Sequence, residues 1–168
     1  MKLRTRRFPI PTTFDQLEVG QPFGIYSNGG RHWTCIRLEV DCLILGGSEI
    51  AGEEFPAFYD VRKLGGQIVR LVADGFVLTP SSYDGDIEFA VPTEDHHGAL
   101  AMDVNGRAMV RVKPSEMRRE GFVDLSDGSH QQENADVLVY YPSWELAGDV
   151  GGRLWTVYSR SIKKGVSA

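Results

Sequence analysis

The chain has 168 residues, of which 42% are hydrophobic and 24% charged, and its formal net charge is −5 at pH 7. A chain of this length folds as one domain or as two small ones, and it buries enough surface to need neither a disulfide nor a metal. No apolar run approaches the ~20 residues of a membrane-spanning helix, and two cysteines are too few for the disulfide framework of a small secreted protein.

The cysteines and the amino terminus indicate a protein that is made in the cytoplasm and not secreted. Cys35 and Cys42 are close enough in sequence for a bridge across a tight hairpin, but buried thiols are the favoured interpretation for an intracellular chain. The basic start is followed at once by Phe-Pro-Ile-Pro at 8–11, which is not the apolar core of a secretory signal. These features are also compatible with incorporation into a larger particle.

Glycine-bearing turns recur along the chain and separate short apolar runs. Asn-Gly and Asp-Gly pairs, such as Asn28-Gly29 and Asn105-Gly106, accept the positive φ that hairpin turns require. The pattern predicts a mainly β fold of antiparallel sheets or small barrel-like modules with two short helices.

The first half of the chain predicts an arm, a helical turn and a series of strands. Pro9 and Pro11 disfavour helix, so residues 1–11 are expected to form an extended basic arm. Thr13 and Gln16 have capping-box spacing, which predicts one or two helical turns before Gly20. The acidic segment Ser48–Lys63 is expected to be a long loop. The strands predicted here are Phe23–Tyr26, His32–Leu38, Cys42–Leu45, Gln67–Val72 and Phe76–Thr79.

Phe14, Leu17, Gly20 and Phe23 form an F-x-x-L-x-x-G-x-x-F lead-in before the first hairpins. This pattern resembles the start of a small β-barrel module found in bacterial and phage proteins, and the resemblance covers about the first 65 residues. The motif is degenerate, so the resemblance implies a fold and no function.

The second half predicts more strands and one further helix. Thr79-Pro80-Ser81-Ser82 marks a connection, which divides the chain into β modules at 12–80 and 81–168; one continuous domain is the alternative. Lys113–Gly121 has an early proline, late basic residues and a final glycine, which predicts a short helix. The predicted strands are Ile87–Val91, Leu100–Val104, Ala108–Val112, Phe122–Leu125, Val137–Tyr141 and Leu154–Ser159.

No motif predicts catalysis or a cofactor. The chain has no HExxH motif, Cys-rich zinc spacing, nucleophile elbow, phosphate-binding loop or dinucleotide motif. The densest group of metal-ligating residue types is Glu94-Asp95-His96-His97, for which we favour an exposed loop. A small metal-dependent hydrolase that uses His96 or His97 is the alternative.

Aromatic residues cluster near the carboxyl end, at Tyr140–Trp144 and Trp155–Tyr158. Filling the core is the simplest role for these rings. A protein-contact patch is the second interpretation, since Tyr and Trp are enriched at interfaces. A stacking platform for sugars or bases is the third.

Charge is segregated along the sequence. Residues 1–7 and residues 153–168 each carry four basic side chains and no acid, whereas residues 8–152 carry ten basic and 23 acidic side chains. The prediction is a non-enzymatic assembly protein, a phage-like accessory subunit that docks on protein partners or on copies of itself. The predicted contact residues are Arg4, Arg6, Arg7, Tyr141 and Trp144. The alternative is a nucleic-acid-associated or inhibitory module. Nucleic acid would then contact only the basic termini, or the acidic body would mimic nucleic acid.

Overall fold

The computed structural model describes residues 10–80, 88–89 (backbone only), 96–115, 118–132 and 136–161. This part of the chain is 52% strand and 6% helix, and its strands pair antiparallel. The mainly β, antiparallel fold is therefore confirmed. Arg4, Arg6 and Arg7 lie outside the described residues.

The first sheet is built from residues before position 71. Its strands are β1 (Ile10–Pro11), β2 (Pro22–Tyr26), β3 (His32–Arg37), β4 (Cys42–Gly47), β5 (Ala57–Tyr59) and β6 (Gln67–Arg70). Their spatial order is β1-β6-β2-β3-β4-β5. The hairpin between β2 and β3 closes where the sequence predicts it, with Gly30 at a φ of 75°.

The second sheet is built from residues 88–141. Its strands are β8 (Glu88–Phe89), β9 (Leu100–Asp103), β10 (Ala108–Val112), β11 (Gly121–Asp124), β12 (His130–Gln132) and β13 (Val137–Tyr141). Their spatial order is β12-β11-β10-β9-β13-β8. The predicted hairpin around Asn105-Gly106 is confirmed, since β9 and β10 pair directly and Gly106 has a φ of 77°.

The third sheet joins strands that are far apart in sequence. It contains β7 (Gly75–Pro80), β14 (Trp144–Val150) and β15 (Arg153–Arg160), with β14 in the centre. The sequence does not predict the central strand, because Glu145, Gly148 and Asp149 give it a low strand propensity. It forms because it pairs on both sides, with β7 and with β15.

The prediction of barrel-like modules is wrong, since none of the sheets in the described residues closes into a barrel. The first sheet ends on β1 and β5, which have two and three residues. Closure requires hydrogen bonding between the outermost strands, and strands this short offer few groups for it.

The two helices of the described residues are short and match the prediction only loosely. The turn expected after Thr13 is a 3₁₀ helix, Phe14–Gln16, and the Gln16 side chain accepts the backbone N–H of Thr13. The second helix, α1 (Val61–Leu64), falls at the end of the segment expected to be a loop. The Asp60 carboxylate caps it by accepting the backbone N–H of Arg62 at 3.0 Å.

The helix expected at Lys113–Gly121 is absent from the part of this segment that the structure describes, residues 113–115 and 118–120. The backbone N–H of Lys113 donates to the His97 ring, and that of Ser115 donates to the carbonyl of Arg118. The contact between Ser115 and Arg118 runs opposite to the direction of helical hydrogen bonds, so the helix propensity of this segment is overridden.

The main core lies where the three sheets meet. Ile36 and Leu43 of the first sheet, Val110 and Val123 of the second, and Trp144 of the third belong to one buried cluster. A contiguous cluster of this kind is the usual core of a domain. The division into modules 12–80 and 81–168 stays a prediction, although this cluster and the pairing of β7 with β14 cross it.

The first sheet is buried on its other face as well. There Phe23, Ile25, Trp33 and Ile44 form a second cluster, on which Ile50 and other residues of the segment after β4 pack. Burial on both faces explains why β2 and β4 are nearly continuous buried runs rather than alternating ones. No helix of the described residues is long and apolar enough to cross a membrane.

Candidate functional site

A cleft of about 690 Å³ opens at the junction of the three sheets. The buried side chains of Ile36, Leu125 and Leu146 line its interior. Its walls come from the loop before β2, the link from β6 to β7, and the turns after β9 and β11. Its volume is within the range of ligand-binding clefts, ~300–1,000 Å³.

One wall depends on Gly20. This residue has a φ of 85°, and a Cβ at this position would lie 2.7 Å from the carbonyl oxygen of Ser126. Its N–H donates to the carbonyl of Arg37 at 2.8 Å. Only glycine combines this conformation with so close an approach, and the loop is therefore held against the turn after β11.

The turn after β11 brings one carboxylate into the cleft wall. The Oδ1 atom of Asp124 accepts the backbone N–H of Ser126 at 2.8 Å and its hydroxyl at 2.6 Å. The neighbouring Asp127 accepts the N–H of Ser129, and this hydrogen bond lowers the pKa of the Asp127 carboxyl. These hydrogen bonds hold the turn in place, and the lowered pKa keeps Asp127 negative at neutral pH.

Arg107 is the one basic side chain among the described residues that line the cleft, and Asp103 holds it. The two side chains are joined at 2.7 Å, with Arg107 45% exposed and Asp103 buried. Burial alone would raise the pKa of Asp103, but hydrogen bonds from the Arg107 N–H, its guanidinium and the Asn105 N–H outweigh burial and lower it. The charge of Arg107 is thus matched within the protein.

Two further carboxylates line the opening. Glu18 is exposed at the loop before β2, and Asp74 is exposed on the link to β7, where its Oδ2 atom accepts the N–H of Gly151 at 2.8 Å. With Asp124 they give the lining three acidic groups against the paired Arg107. The cleft is therefore anionic, and a concave surface of one sign concentrates ligands of the opposite sign.

An aromatic row on the third sheet leads to the cleft. Gly148 of β14 pairs with Phe76 on one side and with Trp155 on the other, and Phe76 lines the cleft. A Cβ on Gly148 would lie 2.7 Å from the Nε1 atom of Trp155, so the glycine lets the indole lie against the strand. Trp155 remains 38% exposed. The row provides an apolar, π-rich surface beside the carboxylates.

The arrangement favours binding of an extended cationic ligand. Carboxylates attract the charge, while the faces of Phe76 and Trp155 suit a guanidinium or an aliphatic stem. Within the described ranges, no group of three or more His, Cys, Asp or Glu side chains is placed to hold a metal ion.

The histidines predicted to lie in an exposed loop are buried, so that expectation is wrong. His96 and His97 are 5% and 6% exposed. The His96 ring stacks on Tyr140, with centroids 4.0 Å apart. Contacts within the fold therefore occupy the rings on which the hydrolase alternative depends.

His97 is at the centre of a polar network. Its Nδ1 atom accepts the N–H of Lys113 at 3.2 Å, and Nε2 lies 3.4 Å from the carbonyl oxygen of Glu54. This pattern corresponds to the neutral tautomer with the proton on Nε2. Burial lowers the pKa of His97, and the nearby charges of Lys113 and Arg160 lower it further.

The two predicted aromatic contact residues differ in location. Trp144 is fully buried, and its Nε1–H donates to the carbonyl of Gly98 at 2.9 Å. It belongs to the core and has no surface for a partner, which conflicts with its predicted contact role. Tyr141 is half-buried against the main cluster, and its role in contacts stays a prediction.

The cysteines are buried thiols, as favoured from the sequence. Cys35 and Cys42 are both free and fully buried. Burial, followed by a hydrogen bond with Cys42, raises the pKa of Cys35 well above its ordinary value. A raised pKa makes a thiol unreactive at neutral pH.

Sequence reasoning missed the cleft because its lining residues come from separate segments with no common motif. The signal that existed was indirect. The turn at Asn105-Gly106 was predicted, and Gly106 lines the cleft. Nothing in the sequence indicated that this turn shares a cleft with the loop at Gly20.

Comparison with protein-family models, with curated proteins and with solved structures found no match to this chain.

Proposed function

We propose that this protein is a non-enzymatic assembly subunit that docks on protein partners, copies of itself included, as an accessory component of a larger particle such as a phage virion. The observation that supports it is the segregation of charge. The basic terminal segments flank, in the sequence, a central stretch at residues 8–152 that has 13 more acidic than basic side chains. The cleft is built from that stretch and is anionic. Complementary charge of this kind gives association its rate and its specificity.

The amino-terminal segment is the stronger docking element of the two. At the carboxyl end, Arg160 donates to the carbonyls of Pro142 and His97 of its own chain, and its charge is used within the fold. Lys2, Arg4, Arg6 and Arg7 precede the first described strand, and Ile10 at the start of that strand is 45% exposed. A segment that begins from an exposed edge is well positioned to reach a neighbour.

The experiment compares the native mass of the full chain with that of a chain lacking residues 1–9. This truncation keeps β1, which pairs with β6, so the body is expected to stay folded. We expect the full chain to associate at ~0.15 M salt and to dissociate at ~1 M, because the Debye screening length falls to ~3 Å at the higher concentration. The truncated chain should be monomeric at both. Equal association of the two chains at ~0.15 M salt would contradict the proposal.

The nucleic-acid alternative rests on the same basic segment. Titration with DNA and with RNA at ~50 mM salt separates the two functions, because phosphate contacts weaken steeply as salt increases. Assembly docking predicts no binding to the body and at most weak binding through residues 1–9. Tight binding that survives ~0.2 M salt would favour the alternative.

A further inference from the structure

We infer that the anionic cleft is the receptor for residues 1–9 of a second copy of this chain. The inference rests on the proposed assembly function and specifies its docking site. It commits to one occupant, the segment Met-Lys-Leu-Arg-Thr-Arg-Arg-Phe-Pro.

Charge complementarity is the first argument. The segment has four basic side chains and no acid. The cleft presents the exposed carboxylates of Glu18 and Asp74, with the buried Asp124 behind them in the wall, and the cation of its described lining, Arg107, is already held by Asp103 at 2.7 Å. Because Arg107 is neutralised from within, the incoming cations meet a surface with a net negative charge.

The apolar residues of the segment have matching partners. Leu3 and Phe8 lie among the cations of the segment, while the cleft and its border supply Phe76, Leu78 and Trp155. Burial of apolar surface and stacking of guanidinium groups on aromatic faces would both contribute to affinity. A purely acidic surface would lack this second kind of contact.

The location of the segment's root allows exchange between two copies. Ile10 pairs with Arg70, and three residues later Ala73 lines the cleft. Root and receptor are therefore on the same side of the chain, so two copies related by a twofold axis can each insert a segment into the other through one self-complementary interface. Nine residues can span up to ~30 Å, which is enough to reach across such an interface.

The test uses the chain lacking residues 1–9 and a synthetic peptide of residues 1–9. Binding is followed by tryptophan fluorescence, to which the exposed Trp155 responds, since Trp33 and Trp144 are buried. We expect saturable binding that weakens with salt, and no binding of a peptide in which the four cations are replaced by glutamine.

A pair of cleft substitutions defines the site. Glu18→Gln with Asp74→Asn removes two charges, and an asparagine amide oxygen can still accept the N–H of Gly151. The matched control is Glu49→Gln with Glu53→Gln, which removes the same charge from exposed positions elsewhere. We expect the cleft pair to raise the dissociation constant at least tenfold and the control pair to change it less than twofold.

The outcomes separate this inference from the proposed function. If truncation abolishes assembly but the peptide binds the cleft variant unchanged, the docking site lies elsewhere and only the inference fails. If truncation leaves assembly unchanged, the proposed function fails. If the peptide binds the cleft while the full chain stays monomeric at every concentration, each segment occupies its own cleft, which also overturns the inference.

Discussion

The region around Trp144 and the cleft at the sheet junction differ in how their polar groups are used. Around Trp144, the indole N–H, the His97 ring and Arg160 all bond to groups of their own chain, and the Trp144 and His97 side chains are buried. In the cleft, the carboxylates of Glu18 and Asp74 are exposed beside a hydrophobic interior, although Asp74 also accepts the N–H of Gly151. The first arrangement stabilises the fold, and the second is available to a ligand.

The comparison teaches that chemically distinctive residues are not by themselves functional. Trp144 and the paired histidines stand out in the sequence, yet the fold uses them internally. The cleft residues share no sequence motif, and the role proposed for them follows from their positions in the fold. Substitutions in the two regions should therefore affect different properties, stability in the first and association in the second.

The largest effect on stability is expected from Trp144→Ala. Removing a fully buried indole leaves a cavity and an unpaired carbonyl at Gly98, and such truncations cost about 3–5 kcal/mol. Chemical denaturation measures the change. Trp155→Ala is the control: it should reduce the free energy of unfolding little while weakening peptide binding. A similar loss of stability for both would erase the distinction between the two regions.

The next largest effect is expected from Arg118→Ala. Its guanidinium binds the fully buried Asp41 carboxylate at 2.9 and 3.0 Å. Removing it leaves a buried charge unpaired, which costs about 3 kcal/mol. The exposed pair of Arg62 and Asp60 gives the control, since Arg62 is 84% exposed and Arg62→Ala should cause no measurable change. Equal midpoints of denaturation for the two variants would refute this assignment.

Gly20→Ala should have an intermediate effect that includes the cleft. The residue has a positive φ, and a Cβ would approach Ser126 at 2.7 Å, so a cost of about 1–3 kcal/mol is expected. The displaced wall should also weaken binding of the segment. Gly29→Ala is the control, because a Cβ there meets nothing within 4 Å. Unchanged stability and unchanged binding in Gly20→Ala would show that the wall is not held as described.

The smallest effect is a pH dependence from His97. Its pKa is lowered in the folded state, mainly by burial. Below the ordinary value of ~6.5 the unfolded chain therefore binds more protons than the folded one, and stability falls as the pH is lowered. His97→Gln should flatten the fall between pH 7 and the lowered pKa. His32→Gln, at an exposed position, should leave the slope unchanged. A slope unaffected by His97→Gln would remove this histidine from the pH response.

Most of the fold could be predicted from the sequence, because strands such as Ala108–Val112 and Val137–Tyr141 have local signals. The strand Trp144–Val150 could not, since its propensity is low and its two partners are remote in sequence. The cleft was unpredictable for a related reason. Its carboxylates at Glu18, Asp74 and Asp124 converge only through the packing of three sheets, which no spacing in the chain encodes.

A charge-reversal exchange tests the docking of one copy's segment into another's cleft most directly. One variant has Glu18→Lys and Asp74→Lys, and the other has Lys2→Glu, Arg4→Glu, Arg6→Glu and Arg7→Glu, which turns the segment's charge from +4 to −4. In each variant alone, segment and cleft carry like charges, whereas in a mixture both docking contacts are complementary. Sedimentation analysis should find each variant monomeric and an equimolar mixture associated. A mixture that stays monomeric, or a single variant that associates as the unaltered chain does, would contradict the account.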